Sequence, residues 1–328
     1  MTVTRRHFLG TAAATAVSVG FLANATSQEE TTEPRAPLRT KLYKSWIIGE
    51  PNDEQCAKLK AAGYDGVETT AWNVSAAAAR KSRAIAEAHD LRIHSVMRAW
   101  TDINKDAETL AHDVETVKDA LRAAAGYGAD TVLWVPCKVG NMKMPDPWNF
   151  DVDFDPATLE VKGVVKDDNA AFADYIAAQN KATKATLEAV EQLIPVAAKE
   201  GVRLTAENVW NNLWSTPKYF AALFKYFDNP WFKCYFDLGN QVKYAKCENW
   251  LNALGSSIVK LHIKGYNVKE VLGESGGGRG DWSRIDEASV DWKSVRQLLD
   301  KIGYSGYVTV EEGKLSPEEY NQLLDKIW

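Results

Sequence analysis

The sequence predicts an α/β protein built as one closed parallel barrel, and three observations support this prediction. Of the 328 residues, 45% are hydrophobic and 25% are charged, as is usual for soluble globular proteins. Eight short β-like runs alternate with helical patterns from residue 41 to the C-terminus. No glycine-rich phosphate loop follows the first run, which disfavours an open, doubly wound sheet. The pattern therefore predicts a single (β/α)8 TIM barrel over residues 39–328.

The predicted strands and helices follow one another in order. The strands are Leu42–Ile48, Gly66–Thr70, Arg92–Met97, Thr131–Val135, Val202–Asn208, Cys234–Leu238, Ile258–Lys264 and Tyr307–Glu312. The helices are Asp53–Ala62, Ser75–His89, Asp106–Ala125, Asn169–Lys199, Pro217–Phe227, Glu248–Leu254, Trp292–Ile302 and Pro317–Ile327. Glycines at 63, 128, 201 and 303 are typical of left-handed caps that end a helix before the next strand.

The N-terminal 25 residues are predicted to be a signal peptide. Arg5 and Arg6 precede an apolar run from Thr11 to Leu22, and Ala23-Asn24-Ala25 fits a small-residue cleavage site. The segment TRRHFL is similar to a twin-arginine export signal, although an ordinary secretory signal with two chance arginines is an alternative. The apolar run is too short for a stable membrane anchor. We therefore expect an exported, periplasmic or extracytoplasmic protein, with residues 26–38 as a flexible leader.

Two long connections are expected on the face that carries the active site. Residues 138–168 are polar and follow the fourth strand, and we interpret them as a partial lid, with a plain surface insertion as the alternative. Gly276-Gly277-Gly278 should form a second flexible loop after the seventh strand.

Charge and cysteine spacing exclude several classes of protein. The formal net charge is -5, and about -7 without the signal, so a basic nucleic-acid binder is not expected. The four cysteines have no C-x-x-C spacing, which argues against a disulfide scaffold or a zinc finger. Twelve tryptophans are typical either of a sugar-binding pocket or of large core residues.

Strand alternation selects the polar residues that should point into the barrel. Successive side chains of a strand face opposite sides, and the side that meets the helices must be apolar. In the fifth to eighth strands this leaves Glu207, Asp237, His262 and Glu311 facing inward near the carboxyl ends. Glu312 falls on the opposite side from Glu311. Barrel enzymes place their chemistry at this end of the strands.

These four residues have the composition of a divalent metal site. Three carboxylates that converge would repel one another strongly unless a cation lies between them. Three carboxylates and one imidazole favour a hard ion; Mn²⁺ is expected first, with Mg²⁺, Co²⁺ and Zn²⁺ as alternatives. The competing interpretation for each residue is a solvated strand end or a structural ion pair.

Three further residues are candidates for substrate binding. Glu68 ends the second strand facing inward, and could contact the substrate or support the metal site. His94 points inward from the third strand together with Val96, and either binds substrate or fills the core. Lys264 lies one step beyond His262 and could hold a substrate oxygen or pair with an acid of the metal site.

The chain resembles the xylose isomerase-like TIM barrels, the superfamily of sugar-phosphate isomerases and epimerases. The motifs TAENVW, YFDLGN, VKLHIKGY and GYSGYVTVEEG carry this resemblance, which spans about residues 40–328. It implies one divalent metal ion held by Glu207, Asp237, His262 and Glu311. It also implies that Glu207 and Glu311 exchange a proton on carbon through an enediolate of a small carbohydrate.

The sequence departs from the family pattern at three points. Asn240 stands where several branches have the histidine of Asp-x-x-His, and Gly265 follows Lys264 where an acid is common. Ile285–Ala288 replaces a glycine-containing I-G-E-G stretch. These changes are typical of a separate branch with its own substrate.

Other functions stay open at this stage. The same proton removal could expel a neighbouring group, which would make the protein a lyase or hydratase on a keto-glycoside. A non-catalytic sugar-binding barrel would also fit. The endonuclease branch of the superfamily needs several histidines, and here the barrel strands offer only His94 and His262. We expect no nucleic-acid partner, and action alone or as a symmetric homo-oligomer.

Overall fold

Residues 38–328 are described by a computed structural model, and they form the predicted closed barrel. Eight parallel strands close on themselves, and a helix packs outside the barrel after each of them. The prediction of a single (β/α)8 barrel is therefore confirmed. The predicted signal peptide and nearly all of the predicted leader lie outside the described residues. Within the described chain, no helix is both long and apolar enough to span a membrane.

Twelve strands are present in the described chain, and eight of them build the barrel. In chain order they are β1 Leu42–Ile48, β2 Gly66–Thr69, β3 Arg92–Trp100, β4 Thr131–Val135, β5 Asp153–Phe154, β6 Val161–Gly163, β7 Arg203–Glu207, β8 Phe232–Asp237, β9 Ile258–Ile263, β10 Gly265–Val271, β11 Gly278–Ser283 and β12 Gly306–Val310. The barrel order is β1-β12-β9-β8-β7-β4-β3-β2. Strands β5 and β6 form one separate hairpin, and β10 and β11 form another.

The eight helices match the predicted ones to within a few residues. They are α1 Asp53–Ala61, α2 Ala76–Ala88, α3 Ala107–Tyr127, α4 Ala173–Glu200, α5 Pro217–Phe227, α6 Cys247–Leu254, α7 Trp292–Lys301 and α8 Pro317–Ile327. Side chains of Ser75 and Asp106 accept hydrogen bonds from free N–H groups at helix starts. Gly128 and Gly201 end α3 and α4 in the left-handed conformation that their sequence positions predicted.

A bulge in β3 changes which of its side chains face the barrel interior. Val67 of β2 pairs with Ile93, but the next residue, Glu68, pairs with Ser95, so His94 is an extra residue. After it, Val96 packs in the core between barrel and helices, whereas Met97 packs with the interior side chains. The expectation that Val96 faces inward is therefore wrong, because simple alternation does not continue through a bulge.

Both long connections contain regular structure. Residues 138–168 include the β5–β6 hairpin, and Asn180 of α4 fixes it by hydrogen bonds to Val161. The glycine loop expected after the seventh strand is instead the turn and return strand of the β10–β11 hairpin. Glycine is required there because a Cβ on Gly280 would clash with the carbonyl oxygen of Asn267.

The β10–β11 hairpin lies against the connections that follow β8 and β4. Ala245 pairs with Gly276 near the hairpin turn, and the backbone N–H of Lys246 donates to the carbonyl oxygen of Ser275. Lys166 forms an ion pair with Glu274 at 2.9 Å. The hairpin therefore extends from β9 over neighbouring parts of the C-terminal face.

Candidate metal centre and active site

Four adjacent strand ends bring the predicted metal ligands together. Glu207 and Asp237 are the last residues of β7 and β8, His262 lies near the end of β9, and Glu311 directly follows β12. Barrel register places Asp237 beside His262, and Thr309 on the other side of His262. One ligand atom from each of the four residues lies within 4.8 Å of the others.

Neighbouring glutamates at the end of β12 point in different directions. The Glu311 carboxylate lies 3.2 Å from Nδ1 of His262. The Glu312 carboxylate instead accepts hydrogen bonds from the backbone N–H of Gly265 and from the hydroxyl of Tyr320 on α8. Strand alternation thus separates a residue of the cluster from one that ties α8 to the barrel.

His262 is held between carboxylates on both sides of its ring. Its Nδ1 lies 3.0 Å from Oε1 of Glu207, inside the cluster. Its Nε2 lies 2.6 Å from Oε2 of Glu68, a fully buried residue of β2. The other Glu68 oxygen accepts a hydrogen bond of 2.8 Å from the Ser95 hydroxyl. Glu68 therefore fixes the imidazole orientation and leaves Nδ1 facing the cluster.

The two carboxylate oxygens of Asp237 differ in their hydrogen bonds. Its Oδ1 accepts hydrogen bonds from the backbone N–H groups of Gly239 and Asn240, at 2.8 and 2.6 Å. The Asn208 side chain bonds to the backbone N–H and C=O of Asp237. Oδ2 of Asp237 is buried and accepts no hydrogen bond from the described residues, although Lys264 Nζ lies 3.3 Å away. A buried carboxylate oxygen in this state is suited to a cation.

Lys264 occupies the acidic cluster in this structure. Its Nζ donates to Oε2 of Glu311 at 2.6 Å. This contact corresponds to the second of the two roles that the sequence allowed, pairing with an acid of the site. The ammonium group also lies 3.3 Å from Oδ2 of Asp237, and its predicted contact with substrate stays a prediction.

The titratable groups of the cluster shift one another's pKa values. Burial, together with the charge of Glu311, raises the pKa of Glu207 to about 7. Burial also raises the pKa of Asp237. For His262 burial acts against the charged form, but the Glu68 and Glu311 carboxylates outweigh it and raise its pKa well above the ordinary value. The cluster has more carboxylates than cationic groups to balance them.

His94 lies in the barrel interior, apart from the four ligands. Its Nε2 is 2.7 Å from the Ser45 hydroxyl and 3.2 Å from that of Thr309. Its ring stacks on Tyr307, with centroids 4.1 Å apart. Burial, with Lys260 nearby, lowers the pKa of His94 well below its ordinary value. His94 therefore packs in the barrel interior, and its predicted contact with substrate stays a prediction.

The ligand set fits a hard divalent cation. Glu207, Asp237 and Glu311 supply oxygen, and His262 supplies one nitrogen. Within the described residues, Oδ2 of Asp237 accepts no hydrogen bond, although Lys264 Nζ lies 3.3 Å away. This donor set is chemically that of Mn²⁺, Mg²⁺ or Co²⁺ rather than of a structural zinc site.

Several residues around the site were not among the site residues predicted from the sequence. Asn208 and Asn240 bond to each other's strand ends and hold the Asp237 loop in place. Trp210, Tyr266 and Trp282 form an aromatic cluster beside Lys264. Asn208 directly follows Glu207, and Asn240 lies three residues after Asp237, so both stand close to a strand-end acid in the sequence. The aromatic cluster gave no such signal, because it depends on the unpredicted hairpin.

A cavity of about 720 Å³ lies between the two long connections. Its walls come from residues 148–151, 165–167 and 272–275. None of the four predicted metal ligands lines it. The cavity is therefore a feature of the connections and not of the metal cluster itself.

Comparison with protein families gives one match over most of the chain. The family model described as xylose isomerase-like TIM barrel matches residues 56–326. A comparison with curated protein sequences finds no match.

Solved structures with the same fold share little sequence with this chain. A D-tagatose 3-epimerase-like protein superposes with a TM-score of 0.64 at 15% identity, covering 87% of this chain and 97% of its own. The 3-keto-D-glucoside 4-epimerase of E. coli gives a TM-score of 0.61 at 14% identity, covering 88% and 99%. Mannonate dehydratase from Streptococcus suis gives 0.63 at 11% identity, covering 88% and 94%. At these identities the likeness concerns the fold.

Proposed function

This chain belongs to the xylose isomerase-like TIM barrel family, and we propose that it is a metal-dependent isomerase or epimerase of a small carbohydrate. The observation that carries the proposal is the cluster of Glu207, Asp237, His262 and Glu311, with ligand atoms within 4.8 Å of one another. The buried Asp237 oxygen without a hydrogen bond supports a bound cation in this cluster.

Glu207 and Glu311 are proposed as the acid/base pair. Strands β7 and β12 are separated by β8 and β9 in the barrel, so the two carboxylates approach the centre from different sides. One removes the proton from the carbon beside a carbonyl group, which leaves an enediolate, and the other returns a proton to the neighbouring or the same carbon. A bound divalent ion would supply Lewis-acid polarisation of the carbonyl oxygen.

The other residues have positioning roles in this proposal. Asp237 and His262 are ligands, Glu68 holds the His262 ring, and Lys264 supplies a cationic donor for a substrate oxygen. A substrate-binding role for Glu68 and for His94 stays a prediction. Of the candidate ions, Mn²⁺ remains our first choice.

The structural neighbours support a carbohydrate substrate. Two are named as sugar epimerases or epimerase-like, and a third is named mannonate dehydratase. A dehydratase or lyase on a keto-glycoside is the second candidate, because its reaction begins with the same proton removal. A non-catalytic sugar-binding barrel is the third.

The first experiment is elemental mass spectrometry of the purified mature protein beside a His262→Ala variant. We expect about one divalent metal ion per chain in the wild type and its loss in the variant. A wild-type protein that holds no metal, even after metal is added back, would contradict the proposal and favour the binding barrel.

The second experiment detects proton transfer on carbon directly. Metal-loaded protein is incubated in D₂O with a panel of aldoses, ketoses and keto-glycosides, and the products are analysed by mass spectrometry. An isomerase or epimerase incorporates deuterium and otherwise keeps the substrate mass, whereas elimination gives two products. Incorporation that persists in Glu207→Gln and Glu311→Gln would reject the proposed acid/base pair.

Export of the protein is also a proposal, based on the TRRHFL segment. Cell fractionation of the full chain beside a variant with Arg5→Lys and Arg6→Lys tests it. Loss of export in the variant supports a twin-arginine signal, and unchanged export supports an ordinary secretory signal.

A further inference from the structure

A stacked pair of tryptophans lies beside the candidate metal centre. The rings of Trp210 and Trp282 are 4.5 Å apart between centroids and inclined by 23°. Tyr266 meets both rings edge-on, with centroids 5.7 Å from Trp210 and 5.5 Å from Trp282. Three aromatic rings from two separate connections thus form one continuous surface, which we call the tryptophan platform.

Contacts with the loop after Asp237 and the pairing of the β10–β11 hairpin hold the platform in place. The Trp210 indole N–H donates to the carbonyl oxygen of Asn240 at 2.5 Å, so it is anchored to the loop after Asp237. Lys243 Nζ lies 3.4 Å from the centre of a Trp210 ring. Trp282 stands directly opposite Tyr266 in the β10–β11 hairpin. These contacts order the rings before any ligand binds, which lowers the entropic cost of binding.

Trp282 is the exposed member of the platform. Its exposed fraction is 41%, whereas Tyr266 is only 4% exposed. Trp210 stacks on the Trp282 indole, so a ligand would contact the part of the ring that stays exposed. An ordered, half-exposed indole is suited to stacking against the flat C–H face of a sugar ring.

The platform adjoins the reacting position without being part of it. Lys264 Nζ lies 5.5 Å from the Trp282 ring centre and also donates to Glu311 at 2.6 Å. One side chain therefore separates the indole from the carboxylates. A substrate part that touches Trp282 lies next to the reacting sugar unit and not on the metal ligands.

We infer that Trp282, backed by Trp210, binds a second sugar ring, so the substrate is a glycoside of at least two rings rather than a free monosaccharide. This inference rests on the proposed function, because it takes the metal cluster as the reacting position. Trp282 is accordingly a specificity-determining residue. It contacts the sugar ring that does not react, and it strengthens the binding of that ring.

The test compares a ketose with disaccharides that contain the same ketose. The probes are D-fructose and four glucosyl-fructoses, turanose, maltulose, leucrose and palatinose, which differ only in linkage. Binding to metal-loaded protein is measured by calorimetry, and deuterium incorporation from D₂O is measured in parallel. Variants are Trp282→Ala, Trp282→Phe and, as control, Tyr226→Ala, which removes a 39% exposed aromatic ring from α5.

We expect at least one disaccharide to bind more tightly than fructose to the wild type. In Trp282→Ala that preference should fall by about tenfold, which is the scale of one aromatic stacking contact. Trp282→Phe should retain part of it and Tyr226→Ala all of it. Circular dichroism of each variant checks that the barrel stays folded.

Three outcomes overturn the inference, and each differs from failure of the proposed function. The inference is wrong if no disaccharide binds more tightly than fructose, or if Trp282→Ala weakens both kinds of probe equally. If disaccharides bind through Trp282 but no probe incorporates deuterium, binding of a second ring is supported and the proposed catalysis is contradicted. If fructose alone exchanges deuterium, and Trp282→Ala leaves that rate unchanged, the proposed catalysis is supported and binding of a second sugar ring by Trp282 is rejected.

Discussion

The two ends of the barrel carry similar residues in different electrostatic states. At the N-terminal end, Lys260 is 4% exposed and forms an ion pair of 2.8 Å with Asp130, and Arg92 reaches the same carboxylate at 3.3 Å. Arg203 lines the cavity of about 320 Å³ beside them. The buried charge of Lys260 thus has a partner of opposite sign, as in a site that serves stability.

The C-terminal end has the opposite balance. Glu207, Asp237 and Glu311 converge with Glu68 behind them, and within residues 38–328 only His262 and Lys264 pair with these carboxylates. One oxygen of Asp237 stays buried without a hydrogen bond. Buried charge alone therefore does not mark a functional site. A candidate functional site is marked by buried charge that the surrounding side chains do not balance.

The largest effect is expected from variants of the acid/base pair at the C-terminal end of the barrel. Glu207→Gln or Glu311→Gln should lower the rate of deuterium incorporation at least about 10³-fold, because each removes half of the acid/base pair. The matched control is Glu312→Gln, whose carboxylate faces Gly265 and Tyr320 instead. A wild-type rate in Glu311→Gln together with loss of activity in Glu312→Gln would reverse the assignment.

The next effect tests the N-terminal end. Asp130→Asn should lower the free energy of unfolding by about 2–3 kcal/mol, because it leaves the buried Lys260 charge without its partner. Metal content should not change. Chemical denaturation measures the first quantity and elemental analysis the second. Adding Lys260→Met should recover most of the lost stability, and a double variant as unstable as the single one would disprove this account.

A smaller effect concerns the support of His262. Glu68→Gln should weaken metal binding by about tenfold, since the charge behind the imidazole is lost while the side-chain volume is kept. Competition with a chelating dye measures the affinity. Ser45→Ala is the control, because Ser45 bonds to His94 inside the same barrel but not to His262. Equal affinities in both variants would mean that Glu68 only fills space.

The smallest effect separates stability from function on the C-terminal side. Ser316 caps α8 and forms a reciprocal capping box with Glu319. Ser316→Ala should cost about 1 kcal/mol of unfolding free energy, measured by denaturation, because one helix N–H loses its acceptor. Metal affinity should stay unchanged. A drop in metal affinity would show that the start of α8 is coupled to Glu311.

The sequence predicted the barrel because its signals are local. Helix periods, left-handed caps at Gly128 and Gly201, and apolar alternation each depend on neighbouring residues. Alternation within one regular strand also predicted which residue of a pair faces inward, as at Glu311 and Glu312. The same logic failed at Val96, because the bulge at His94 arises from pairing with β2 and not from β3 alone.

The sequence by itself thus determined the eight barrel strands, the closed barrel and the strand ends from which polar side chains converge, but not the two hairpins. Only the tertiary structure decided what these side chains contact. Glu68 and His262 are 194 residues apart, and their contact depends on the register of the closed barrel. The platform of Trp210 and Trp282 likewise depends on how the β10–β11 hairpin lies over the barrel. Such contacts follow from closure and register, which no local pattern encodes.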